Sequence, residues 1–391
     1  MNILYIANST SMSGGDNKSL LTLLRGVREN NVNPFVVLPT KDELFEALSN
    51  EGFHVAVVNY RMDIYPFTHG LKNKILFLPR LFMRRVIELR AVNILRSLCR
   101  QWDINLVHSN VSVLSCGFKA AMYEGLPHVS HVREYVDKDF GMRPYPSMRS
   151  YYQRLNHPGN YTISITRGLR SYHGLVGVND VQIYNGISMD ASDGHSEFFG
   201  EKYFFFAGRI EPAKGVDQLL EAYSAFISSH PDGCGLKLAG VESDSAYAQQ
   251  LRQFVRDEGL ESKVQFLGPR SDVGSLMRDA QATIVSSVFE AFGRCLPEAM
   301  LNECITIGRD IGGTKEQYDN GLRESGMEIG LRYATTAELT QRMNEVEAAD
   351  DANFADMKAV AKKVVQHLYS PETYIEQVCN FYKRITDNNR K

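Results

Sequence analysis

Short strand-like runs and amphipathic helical stretches alternate along this 391-residue chain, and that alternation constrains the fold more than any single motif. In the first half, apolar runs at residues 2–7, 34–38, 54–58, 104–108, 128–132, 162–165 and 181–184 read as strands. Helical periodicity at 18–29, 43–51, 86–101 and 114–124 supplies the crossovers between them, so this half is expected to form a doubly wound parallel sheet. The second half repeats the plan. Its strands fall at 203–207, 236–240, 264–267, 282–285 and 304–308, with helices near 216–229, 246–258 and 297–302. A chain of this length exceeds a single hydrophobic core, so two domains are expected, 1–187 and 201–370, joined by a Ser-, Asp- and Gly-rich linker at 188–200. A further helix is expected beyond Pro371.

Within the second half, Glu290-Ala-Phe-Gly-Arg-Cys-Leu-Pro-Glu298 sets two carboxylates eight positions apart around a Phe-Gly turn. The run before it reads as a buried strand, and Pro297 marks the first turn of a helix after it. Backbone N–H groups near Phe292, Gly293 and Arg294 are expected to face an anion, with Glu290 at the loop entrance and Glu298 on the helix. Carboxylates accept hydrogen bonds from sugar hydroxyls but repel phosphate, so the pair suits a sugar nucleotide better than a plain nucleotide. Two solvated surface glutamates are the plain alternative.

A second signal lies about eighty residues earlier, in Gly208-Arg209-Ile-Glu-Pro-Ala-Lys214-Gly215, directly after the strand-like run at 203–207. Arginine offers a fork of donors and lysine a movable point charge, a combination suited to a diphosphate whose charge grows as it leaves. An ordinary charged turn would need nothing more than the same residues. The occurrence of both motifs in one chain favours the ligand reading over two unrelated accidents.

The first loop, Ser13-Gly14-Gly15-Asp16, has no G-x-G-x-x-G, which disfavours a nicotinamide dinucleotide site. Adjacent glycines let a bound sugar or phosphate approach the backbone, or simply make a tight turn. Hydrophobic content of 43%, charged content of 23% and a formal net charge of −3 describe a soluble globular protein and no nucleic-acid binder. Six cysteines without CxxC or His-paired spacing read as reduced thiols. No run approaches the roughly 20 apolar residues that span a bilayer, and no basic flank precedes an apolar core at the N-terminus. A cytoplasmic enzyme is expected. Residues 72–100 are strongly basic, from Lys72, Lys74, Arg80, Arg84, Arg85, Arg90, Arg96 and Arg100, and carry an apolar stripe, so peripheral contact with an anionic membrane is expected there. A solvated basic face over a core helix would show the same composition.

Taken together, the paired-glutamate and Arg/Lys motifs, the Gly-Gly loop, His128-Val-Ser-His131, Tyr184-Asn185-Gly186-Ile187 and Gly312-Gly313-Thr-Lys-Glu316 resemble the retaining glycosyltransferases of family 4, over nearly the whole chain. The resemblance implies the GT-B architecture, two facing Rossmann-like α/β domains with an interdomain cleft, and a C-terminal helix at 372–391 that packs back on the first domain. It implies a UDP- or GDP-sugar donor and a glycan or lipid-linked acceptor. Arg209 and Lys214 are expected to hold the diphosphate, with Gly14, Gly15, Gly208 and the Phe292-Gly293-Arg294 backbone lining the donor. Glu290 is expected on sugar hydroxyls, Glu298 on the ribose, His131 beside the transferred sugar, and the base near Gly268-Pro269-Arg270. With two fixed cations available and no DxD-type motif, no metal or other cofactor is expected. A sugar-nucleotide hydrolase or epimerase, or a silent binding protein, would use the same donor contacts.

Overall fold

A computed structural model describes residues 1–12, 14–65, 76–141, 143–188 and 194–388; Ser13, Lys72, Lys74 and the linker positions 189–193 lie outside them. The chain divides into two compact units, Met1–Gly186 together with Pro371–Lys391, and Ile187–Ser370.

The first unit is built on seven strands: β1 (Asn2–Ile6), β2 (Asn33–Leu38), β3 (His54–Val57), β4 (Leu106–Ser109), β5 (His128–Val132), β6 (Asn160–Ser164) and β7 (Asp180–Gln182). They lie in the order β3-β2-β1-β4-β5-β6-β7, every neighbouring pair parallel. Successive side chains of a strand point to opposite faces, and on β1 both faces are buried. Ile3 and Tyr5 enter one apolar cluster with Leu20, Leu24 and Val36, while Leu4 and Ile6 enter a second with Val37, Leu95 and Val107. This two-sided burial is why the central strand reads as a continuous apolar run. The helix Pro371–Asn388 completes the first cluster with Tyr374, Val378, Phe381, Tyr382 and Ile385.

The second unit repeats the design with β8 (Tyr203–Ala207), β9 (Gly235–Ala239), β10 (Val264–Gly268), β11 (Ala282–Val285), β12 (Thr306–Arg309) and β13 (Leu331–Tyr333), ordered β10-β9-β8-β11-β12-β13 and again all parallel. On β8, Phe204 and Phe206 pack to one face and Tyr203 and Phe205 to the other. Residues 194–200 are docked on this unit. Asp279 accepts from the Ser196 N–H at 2.6 Å and Ser196 Oγ at 2.7 Å, and Phe198 lies under the Lys237 ammonium, 3.6 Å from ring centre to nitrogen.

The sequence reading leaves residues 309–370 without elements, yet β13 and the helices Gly312–Ser325, Thr336–Ala348 and Ala355–Leu368 occupy them. Two glycines open the first of these helices, and Thr314, Gln317 and Asn320 are among the side chains it buries, so its apolar periodicity is weak. The basic helix runs Phe77–Gln101, beginning before the expected position 86, with Pro79 accommodated in its first turn.

Candidate functional site

In an open parallel sheet, ligands bind beyond the carboxyl ends of the strands, where the strand order reverses. In the second unit that reversal falls between β8 and β11, and the loops leaving these two strands are the ones that carry both motifs. After β8 the chain passes through Gly208 and Arg209 into a single turn of 3₁₀ helix, Pro212–Lys214, and then into the helix Val216–Ser229. After β11 it forms the loop that ends in the helix Cys295–Leu301. Ser286 Oγ donates to the Lys214 carbonyl at 2.8 Å and the Val288 N–H to the Ala213 carbonyl at 3.0 Å, so the two loops are tied into one surface.

The charged side chains are distributed across that surface as pairs. The Lys214 ammonium bonds Glu290, whose same carboxylate oxygen accepts from Ser287 Oγ at 2.7 Å. Arg294 Nε donates to Glu298 Oε1 at 3.1 Å, across one turn at the start of the helix. Arg209 pairs with Glu211 at 2.9 Å and stays half exposed, at 53%. Each acid of the Glu290/Glu298 motif therefore has a cation beside it, and the local field that carboxylates alone would present to a phosphate is largely cancelled. The sequence reading assigned the cations to phosphate and the acids to hydroxyls. It did not foresee that Lys214 and Glu290, 76 positions apart, would touch.

Backbone supports this arrangement. Phe292 is buried, packing edge-on against Tyr369 at 5.7 Å, and Gly293 turns the chain at φ +80°. The Gly313 N–H donates to the Glu290 carbonyl at 2.8 Å, and the Gln317 amide donates to the Phe292 carbonyl. A Cβ on Gly313 would stand 2.5 Å from the Phe292 carbonyl oxygen, so only glycine allows this approach. Burial pushes the Cys295 thiol well up, which leaves it protonated and unsuited to nucleophilic attack.

Gly208 and Gly268 meet through a residue that the sequence reading placed only as a strand end. Gly240 donates its N–H to the Gly268 carbonyl at 2.8 Å, Gly208 donates to the Ala239 carbonyl at 3.0 Å, and a Cβ on Gly240 would collide with the Gly208 carbonyl at 1.7 Å. Beyond Gly268 and Pro269, Arg270 is held by Asp272 at 2.7 Å and Glu197 at 2.9 Å. Its guanidinium is committed to those carboxylates, so a base near this loop would meet backbone and the flat face of the guanidinium more readily than its N–H edge.

In the first unit the order reverses between β1 and β4. Gly14 caps the helix Gly15–Glu29 that follows β1, and Asp16 on its first turn accepts from Asn8 Nδ2 at 2.6 Å. Asn110, just after β4, reaches the Asp16 carbonyl at 3.5 Å. His131, the penultimate residue of β5, is fully buried, its Nδ1 3.1 Å from His108 Nε2 and 3.3 Å from Arg133 Nη2, and its Nε2 has no partner among the described residues. Burial, then the Arg133 charge, holds this imidazole well below its ordinary pKa. His131 is neutral. Arg133 itself is clamped by the Asn110 carbonyl at 2.9 Å, Asn110 Oδ1 at 3.1 Å and Asn185 Oδ1 at 2.6 Å. Glu134 accepts from the Ser112 N–H at 2.9 Å and Ser112 Oγ at 2.6 Å. Asn110 and the role of Asn185 escaped the sequence reading, because lone amides carry no spacing signal.

The basic helix departs from expectation in its charges. Arg85 pairs with Glu88, Arg96 and Arg100 share Glu124, and Arg84 donates to the Met62 and Ile64 carbonyls, so much of the described basic set is engaged within the protein. Glu124 is distant in sequence and reaches the helix only through the fold. Leu78, Phe82, Met83 and Leu89 are exposed on it, by 50–73%. Among the described residues no helix is long and apolar enough to cross a membrane, and no cluster of three or more potential metal ligands occurs.

Residues 191–348 match the family model described as Glycosyl transferases group 1. The D-inositol 3-phosphate glycosyltransferase of Corynebacterium glutamicum (strain R) is 28% identical over 146 residues, 34% of this chain and 34% of the relative. The lipopolysaccharide core biosynthesis mannosyltransferase LpsB of Rhizobium meliloti (strain 1021) is 25% identical over 131 residues, 33% of this chain and 37% of the relative. The chain thus spans about a third of the length of these curated relatives. Among solved structures, Anabaena Alr3699/HepE in complex with UDP and glucose superposes with a TM-score of 0.76 at 19% identity, over 98% of this chain and 99% of that one. A glycosyltransferase from Rickettsia africae ESF-5 gives 0.78 at 16% identity, over 99% of each chain. The second unit carries the sequence match to group 1 glycosyl transferases, and the two parallel-sheet units together carry the fold of GT-B glycosyltransferase structures.

Proposed function

We propose that this protein is a retaining glycosyltransferase that moves a sugar from a nucleoside-diphosphate donor, UDP- or GDP-linked, to a hydroxyl of a glycan or lipid-linked acceptor. The observation that carries the reading is the meeting of Lys214 with Glu290, beside Arg294 with Glu298, at the strand-order reversal of the unit that matches the family model. A paired cation and carboxylate on a structured loop can serve both halves of a sugar nucleotide, the cation its phosphate and the carboxylate its hydroxyls.

In this reading Lys214, Arg209 and the Gly293 region neutralise the diphosphate, Glu290 takes hydroxyls of the sugar, Glu298 takes the ribose, and His131 takes a further sugar oxygen. The bond from the anomeric carbon to the phosphate oxygen breaks, leaving a cation-like sugar. The acceptor oxygen attacks the same face and forms the new glycosidic bond, while its proton passes to the leaving phosphate. No protein nucleophile is needed and configuration is retained. Two cations supply the charge neutralisation, so the reaction is proposed to run without a metal. The names of relatives support a glycolipid or polysaccharide setting, and the exposed apolar residues on Phe77–Gln101 support contact with a lipid surface.

The test is a thermal-shift panel of UDP, GDP and their sugars, followed by donor turnover with and without acceptor, in chelator. A donor at 100 times its Kd stabilises by about 2.7 kcal/mol. Acceptor-dependent turnover, in chelator, to a product whose anomeric proton coupling matches the donor supports the proposal. Turnover that ignores acceptor points to hydrolysis or epimerisation, binding without turnover to a silent binder, and activity restored only by Mg²⁺ removes the metal-free mechanism.

A further inference from the structure

Behind His131 lies a line of buried polar groups drawn from three elements of the first unit. His131 on β5 faces His108 on β4, with 3.1 Å between His131 Nδ1 and His108 Nε2, and His108 Nδ1 lies 2.5 Å from the hydroxyl of Tyr382 on the C-terminal helix. All three side chains are fully buried. Arg133 Nη2 approaches the same His131 Nδ1 at 3.3 Å.

One member of this set fixes the rest. A guanidinium has donors and no acceptor, so His131 Nδ1 must present a lone pair to Arg133. Burial and the Arg133 charge keep both imidazoles neutral, and each then carries a single ring proton. The proton of His131 therefore sits on Nε2. Because His131 Nδ1 is an acceptor, the facing His108 Nε2 must be the donor, which leaves His108 Nδ1 as a lone pair. Burial holds the Tyr382 hydroxyl in its protonated form, and it donates to that lone pair. The line ends at His131 Nε2–H, a buried donor with no partner among the described residues. A buried donor left unpaired is costly, and an acceptor brought by a ligand would relieve that cost.

We propose that Tyr382 and His108 are positioning residues that act with Arg133 to hold His131 as the Nε2–H tautomer and stop its ring from turning over, so that this N–H is offered to an oxygen of the bound sugar. The identity of that oxygen rests on the glycosyl-transfer reading; the proton arrangement does not. Tyr382 lies 251 positions from His131, and only the return of the C-terminal helix to the first unit brings it into line.

The experiment uses the full-length protein labelled with ¹⁵N-histidine and records the two-bond proton–nitrogen correlations of the imidazole rings, with peaks assigned by their loss in His131→Gln and His108→Gln. The expected spectrum shows both rings protonated at Nε2 alone. A His131 ring protonated at Nδ1, or at both nitrogens, overturns the proposal from the wild-type protein. Tyr382→Phe, which keeps the ring and removes the hydroxyl, takes away the donor to His108 Nδ1 and is expected to shift the resonance of that nitrogen. Partners that orient metal-bound histidines are worth about 10- to 100-fold in activity, and by the same orienting role kcat should fall about tenfold with donor KM nearly unchanged. An unaltered His108 spectrum with unaltered kcat in Tyr382→Phe overturns it as well. Should the wild-type protein transfer no sugar, the glycosyl-transfer reading falls while the spectrum still decides the tautomer.

Discussion

Lys214 and Glu290 show how a single contact redefines the roles of its members. An ammonium held by a carboxylate is already in place when a donor arrives, at the cost that the phosphate must share it. Replacing a preorganised charge donor typically costs about 10²- to 10³-fold in rate. Lys214→Ala and Arg209→Ala are therefore each expected to lose transfer by that factor while circular dichroism stays native; a variant with normal kcat removes that residue from the diphosphate. Glu298→Gln keeps the shape of the side chain beside Arg294 and removes its charge. A neutral hydrogen bond has roughly half the strength of a charge-assisted one, so donor Kd should rise with little change in melting temperature. Calorimetric titration with the nucleotide alone would show unchanged affinity if Glu298 does not touch the ribose.

At the scale of elements, the site is a matter of how closely backbones approach. Gly313→Ala would place a methyl group 2.5 Å from the Phe292 carbonyl oxygen, between the helix Gly312–Ser325 and the Glu290–Glu298 loop. The loop must shift, and the expected result is a rise in donor KM of about tenfold or more, together with a lower melting temperature. An unshifted donor KM would show that this approach is not needed for binding. The basic helix makes a separate prediction. Because Arg85, Arg96 and Arg100 have acidic partners, apolar insertion by Leu78 and Phe82 should carry most of any lipid affinity. Leu78→Glu with Phe82→Glu is expected to abolish co-sedimentation with phosphatidylglycerol vesicles while leaving transfer to a soluble acceptor intact; equal sedimentation of the variant would assign binding to charge alone. The helix Gly312–Ser325 was invisible in sequence because it buries Gln317, Asn320 and Thr314, and a buried polar side chain gives no apolar period.

Across the whole molecule, buried neutral histidines set the response to acid. His128, fully buried with Nδ1 on Asn160 Oδ1 at 2.6 Å and Nε2 on Ser109 Oγ at 2.9 Å, has its pKa lowered by burial to about 3 from an ordinary 6.5. Burial moves His108 and His131 in the same direction. For His128 the unfolded chain binds more protons than the native one below about pH 6.5, so its contribution is complete above that pH and is lost as pH falls toward about 3, and His108 and His131 act in the same sense. Each adds up to about 1.4 kcal/mol per pH unit to the slope. Melting temperature should therefore drop between pH 6.5 and 5, and less steeply in His128→Gln; identical slopes in both proteins would show that His128 is accessible to protons in the native state.

The sequence by itself determined the two parallel sheets, since a strand buried on both faces favours a near-continuous apolar run and a parallel pair must be separated by a crossover, and both constraints are written in local order. It also determined which connections carry the charges, because Arg209 and Lys214 lie between β8 and the next helix, and Glu290 and Glu298 lie in the loop and helix that follow β11. Pairing among those charges was decided only by tertiary structure, as were the meeting of Gly208 with Gly240 and the alignment of Tyr382 with His108 and His131. Contacts between residues 76 or 274 positions apart depend on strand order and on where a helix returns, and the spacing of residues along a chain holds no record of either.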